Sequence, residues 1–126
     1  MATFEEFRAK VRGSHDLDRD DPDAFAVTLN FSGRAQRVLA RRYLFDSVEM
    51  VELRSAFAEA RSLRAPELLE ANLTLPIAAV AQHGRFLVVL QKAVVTHTTV
   101  DSLYWQLTRV AMVADGLEQR EGTDRF

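Results

Sequence analysis

The chain has 126 residues, 48% of them apolar and 27% charged, and a formal net charge of −2. That describes one globular domain with a core of its own, residues 1–126, and excludes both a disordered chain and one drawn to a polyanion by its overall charge. With no cysteine, disulfides, thiolate metal sites and thiol nucleophiles are excluded as well.

Thr3 followed by Glu6 fits a capping box, and Phe4, Phe7 and Val11 recur at helical spacing. A first helix is predicted from about Phe4 to Val11, ended by Gly13. The acidic stretch "HDLDRDDPD" (His15–Asp23) reads as a loop with Pro22 as its breaker. In "AFAVTLNF" (Ala24–Phe31), Phe25, Val27, Leu29 and Phe31 alternate with smaller or polar residues, as a half-buried strand requires. "SGR" (Ser32–Arg34) is a turn. "QRVLARRYLF" (Gln36–Phe45) is a second strand, in which Arg37 and Arg41 share parity with Leu39, Tyr43 and Phe45. After Asp46-Ser47, a third strand runs from Val48 to about Arg54. A helix competes beyond that point, because "SAFAEARSL" holds good helix formers.

"APELLEAN" (Ala65–Asn72) is a short helix, with Pro66 at its first turn and Asn72 at its stop. "LTLPIAAVAQHGRFLVVLQ" (Leu73–Gln91) follows as a hairpin turning at His83-Gly84, which opposes Val80 to Leu87 and Ala81 to Phe86. The last helix begins after Thr99 as N-cap and lines Leu103, Leu107, Val110, Ala111, Ala114 and Leu117 on one face. The tail, about residues 119–126, is expected to fray. The fold class is α+β: a five-stranded antiparallel sheet with helices packed mainly on one side, in the order α-β-β-β-α-β-β-α.

The hairpin is apolar on both faces, whereas an antiparallel sheet with one wet face alternates. The two longer helices can cover one face. Val80, Leu87 and Val89 on the other would each gain about 1.5–3 kcal/mol from burial. A second subunit or a bound peptide is the economical cover.

Chemistry is sparse. Asp16, Asp18 and Asp20 start with EF-hand spacing, but Asp21-Pro22 and Val27 stand where the turn glycine and the bidentate glutamate belong. His15, His83 and His97 fall on no zinc motif, and no phosphate-cradling glycine loop occurs. No cofactor, no metal and no enzymatic activity are expected. "MATFEEFRAK" has no signal-peptide character, no segment has the roughly 18 apolar residues of a membrane span, and a cytoplasmic location is expected. Arg34, Arg37, Arg41 and Arg42 near Tyr43 and Phe45 fit a nucleic-acid surface. They fit an edge strand protected from aggregation better. Tyr104-Trp105 offers one ring to a subunit contact.

The order "ELRSAF … APELLEANLTLPIAAVAQHGRFLVVLQKAV … LYWQLTRVAMVADGLEQ" resembles the type III secretion chaperone-like superfamily, which includes the class I secretion chaperones and the YbjN family. The resemblance spans roughly residues 24–119. It implies five strands and three helices, a homodimer, and a non-catalytic role holding an extended segment of a partner protein. Carried onto this chain, it implies partner contacts at Leu39, Tyr43, Phe45, Val51 and Leu53. It implies a dimer region at the "LLEAN" helix and the hairpin: Leu68, Leu69, Val80, Leu87 and Val89. A regulatory domain that holds nucleic acid on the arginine strand is the alternative function.

Overall fold

The computed structural model of the protein describes residues 1–60 and 65–120, the side chains of Ala65 and Leu68 excepted. Its elements are α1 (Phe4–Ser14), β1 (Leu17–Asp21), β2 (Ala24–Phe31), β3 (Arg34–Phe45), β4 (Val48–Glu59), α2 (Ala65–Ala71), β5 (Ala79–His83), β6 (Phe86–Val94) and α3 (Val100–Arg120). The strands form one antiparallel sheet in the order β1-β2-β3-β4-β6-β5.

The sheet has six strands, not five. The acidic stretch expected to be a loop contains β1, whose residues "LDRDD" are nearly all exposed. β1 lacks apolar alternation because it is an edge strand held by its backbone ladder to β2 and by charge. Arg12 donates two hydrogen bonds to Asp20, at 3.0 and 2.9 Å, and the Thr28 hydroxyl donates to Asp18 at 2.6 Å. The hydrogen bond from Arg12 holds the Asp20 carboxyl below its ordinary value of 3.8. Charged side chains on an exposed edge also oppose further strand addition.

β3 is consequently an interior strand, between β2 and β4, so the edge-strand reading of its arginines does not hold. The two hairpins flanking it turn at Ser32-Gly33 (φ 53° and 84°) and at Asp46-Ser47 (φ 50° and 64°). Positive φ at both central residues is what a type I′ turn requires, and its twist matches that of the strands it joins. β4 runs on to Glu59, past the expected end near Arg54, with a bulge between Ala56 and Ala58. Ladder pairing with β6 outweighs the helix propensity of "SAFAE" here, as tertiary context often does.

α1 keeps the predicted capping box at Thr3 and Glu6. Thr99 caps α3, its hydroxyl accepting from the Ser102 N–H at 3.0 Å. Both helices lie on one face of the sheet. Phe4, Phe7 and Val11 from α1 and Leu103, Leu107, Val110, Ala111 and Ala114 from α3 are buried against Phe25, Val27, Val38, Val51, Leu53, Leu87 and Val89. The rings of Phe4, Phe7 and Phe25 form one cluster, with centroids 5.2–6.2 Å apart. Arg34, at the start of β3, makes a forked pair with the buried Asp115 of α3 at 3.1 and 2.6 Å, tying the helix to the sheet.

The β5–β6 hairpin turns at Gly84-Arg85, one residue later than expected, with Gly84 at φ 60°. Glycine at the first central position is the requirement of a type II′ turn. The pairs are therefore Val80 with Val89, Gln82 with Leu87 and Ala81 with Val88. This register differs by two residues from the predicted one and leaves each side chain on its predicted face. The regular strand also starts only at Ala79. Asn72, just past α2, bonds both backbone groups of Val80: its amide oxygen accepts the Val80 N–H at 2.6 Å, and its amide nitrogen donates to the Val80 carbonyl at 3.4 Å. One side chain thus blocks the β5 edge.

Candidate partner-binding site

Two expected surfaces must be redrawn. Val80, Leu87 and Val89, read as a subunit contact, lie in the core beneath the helices. Val51 and Leu53, read as partner contacts, are wholly buried on that same side. The physical reason is register. Val89 pairs with Ser55 and Leu53 with Gln91, so all these residues point to the helix-covered face. Of the other dimer candidates, Leu69 is 69% exposed on α2, and the side chain of Leu68 lies outside the described residues. The expected fraying of the tail also falls largely outside them, apart from Gln119 and Arg120, which complete α3.

The sheet's other face is open, and it gathers Leu39, Tyr43 and Phe45. Cross-strand pairing arranges it in rows. Tyr43 on β3 faces Met50 on β4, which faces Val94 on β6. The next row is Arg41, Glu52 and Lys92, and the next Leu39, Arg54, Leu90 and Ala79. Below it lie Ala56, Val88 and Ala81. Beyond Tyr43, β3 and β4 continue as a two-stranded arm whose tip leaves Leu44, Phe45 and Val48 exposed, Phe45 to 64%.

The centre of this face carries a charge cluster that sequence reasoning missed. Glu52 is largely buried and lies between Arg54, at 3.3 Å, and Arg41, at 3.7 Å. Arg41 and Lys92 both lie over the Tyr43 ring, 5.3 and 5.9 Å from its centroid. The signal was present as parity: residues 50, 52, 54 and 56 share a face opposite to Val51 and Leu53. Beside the cluster is a depression of about 320 Å³. Arg37, Arg54 and His83 supply its polar lining, and Leu39, Phe86 and Val88 its apolar lining.

The arginine stripe of β3 divides between the two faces. Arg34 and Arg42 point to the helix side, where Arg42 donates to Glu49 at 2.7 Å, a bond that raises its own pKa. Arg37 and Arg41 lie on the open face, and Arg37 is 3.7 Å from Asp18. Of the ring pair on α3, Tyr104 hydrogen-bonds His15 at 2.8 Å, while Trp105 is half exposed beneath Arg109. Among the described residues, no group of three His, Asp or Glu side chains is placed to hold a metal ion, and no helix is long and apolar enough to cross a membrane.

No family model and no curated protein matches the chain in sequence. Its fold does have solved counterparts. A chain of the HopA1-SchA chaperone-effector complex superposes with a TM-score of 0.63, over 90% of this chain and 88% of its own length, at 11% identity. The fold implied by the resemblance is the one observed, with one strand more: an α+β, type III secretion chaperone-like fold.

Proposed function

We propose that this chain is a non-enzymatic, cytoplasmic, chaperone-like protein that acts as a homodimer and holds an extended segment of a partner protein on the open face of its sheet. One observation carries the reading. In a fold shared with a chain of a chaperone-effector complex, one sheet face is sealed by helices while the other presents Leu39, Tyr43, Phe45, Leu90 and Val94. An extended chain suits such a surface, because its alternate side chains can settle between the rows. The blocked β5 edge and the charged β1 edge favour the face over strand addition. The homodimer would form around α2, where Leu69 and Leu73 are exposed four residues apart.

The test is a photo-crosslinking residue placed at Tyr43 or Leu90, with one on α3 at Met112 as control, used with the partner purified alongside the native protein. Crosslinks from the open face to one contiguous partner segment, and none from Met112, are expected. Crosslinks from Met112 alone would overturn the reading. Light scattering should give twice the mass of one chain; a monomer at micromolar concentration would remove the dimer.

A further inference from the structure

We propose that the open face selects an acidic segment: the depression between Arg37 and Arg54 takes an Asp or Glu side chain of the partner, and Leu39, Phe86 and Val88 take its apolar neighbours. This rests on the partner-binding reading above and names the chemistry of the partner.

The argument starts from charge. The whole chain is slightly acidic, at −2. On the open face, however, Arg41, Arg54 and Lys92 gather at Glu52, while Arg37 lies further along the sheet beside Asp18, and Glu59 shares the face through its pairing with Phe86. Glu52 is in contact with two of the arginines and faces Lys92 across the β4–β6 pair, so a single anion serves three cations. Among the described residues, Arg37 pairs with Asp18 alone, at 3.7 Å and with both side chains well exposed. An exposed pair of that kind is weakly held and easily exchanged.

Shape points the same way. The depression, about 320 Å³ in volume, is at the small end of ligand sites and suits side chains better than a cofactor. Its apolar lining lowers the local dielectric, which strengthens a guanidinium–carboxylate contact. Arginine's planar fork can bind a carboxylate through two parallel hydrogen bonds. Nucleic acid is less well served. Aromatic rings on a single-strand-binding surface are free to stack on bases, whereas Tyr43 is already engaged by Arg41 and Lys92.

Fluorescence anisotropy with labelled ten-residue peptides that alternate Leu with Glu, Gln or Lys tests the proposal. The Leu-Glu peptide is expected to bind about tenfold or more tighter than the Leu-Lys peptide, and the preference should shrink with added salt. Arg37→Gln, at an exposed side chain, should reduce the preference severalfold with an unchanged circular dichroism spectrum. His83→Gln, in the turn region, gives a second variant on the same lining. Equal binding of all three peptides, abolished by Leu39→Asp, would overturn acid selection and leave the partner-binding reading standing. Binding of a single-stranded oligonucleotide with no peptide bound would overturn both. So would a dimer that Leu39→Asp and Phe86→Asp each dissolve, since a second copy would then occupy the face.

Discussion

Leu53→Ala and Phe45→Ala separate the two faces of the sheet in one experiment. Leu53 is wholly buried on the helix side, between Ala40 of β3 and Gln91 of β6. Truncation removes three carbons and leaves a cavity bordered by a residue already as small as alanine, so the site cannot refill. A buried Leu→Ala change costs about 2–5 kcal/mol, and this one belongs near the middle, at about 3 kcal/mol. For a domain of this length that lowers Tm by roughly 10 °C. Phe45 is 64% exposed at the tip of the β3–β4 arm. Its truncation forfeits only the third that is covered, about 1 kcal/mol or less. Partner binding should show the reverse order: Phe45→Ala weakens it about tenfold, as truncation of an aromatic anchor can, and Leu53→Ala leaves it unchanged below the melting range. Urea denaturation and calorimetry give the first ordering, and titration with the purified partner segment gives the second. A Phe45→Ala protein as destabilised as Leu53→Ala would refute the division. So would a Leu53→Ala protein of native stability that has lost only binding.

Asn72→Ala should cost about 1–3 kcal/mol, because it strands the nearly buried Val80 N–H, and hydrogen exchange at that amide should accelerate well beyond its β6 neighbours. The Arg12–Asp20 contact sets a pH dependence. The Asp20 pKa is lowered in the folded state, so its contribution is complete above the ordinary value of 3.8 and fades as pH falls through the lowered value. The acid limb of a Tm-against-pH curve should flatten in Asp20→Asn, and the loss should appear first as exchange of β1 amides.

Which residues share a face was legible in the sequence, because period-two alternation survives any even slip of register. The hairpin illustrates this. Gly84 can serve at either central position of a two-residue turn, so local chemistry did not choose between His83-Gly84 and Gly84-Arg85. A distant contact marks the choice: the Ala60 N–H, just past β4, bonds the Arg85 carbonyl at 2.7 Å. The two-residue error moved partners and kept faces. β1 was illegible for a related reason. Its evidence lies in Arg12 and Thr28, outside the strand, and its own residues read as solvated loop. What could not be read locally was which apolar face of the hairpin the helices would take.

That choice changes the functional argument more than it changes the fold. With Val80, Leu87 and Val89 under α3, the hairpin's surplus apolar residues on the other face are Leu90 and Val94, in the same cross-strand rows as Leu39 and Tyr43. The dimer residues expected on the hairpin are thus in the core, and the apolar surplus that argued for a second subunit falls on the face that carries the expected partner contacts Leu39, Tyr43 and Phe45. One surface cannot be buried in a subunit interface and also hold a client. If the chain both dimerises and binds a partner there, dimerisation needs other residues, and exposed Leu69 and Leu73 beside the blocked β5 edge supply them. Leu69→Glu should then yield a monomer that still binds the partner segment, with light scattering and anisotropy read on the same sample. Loss of both properties together would mean that the segment is held across two subunits.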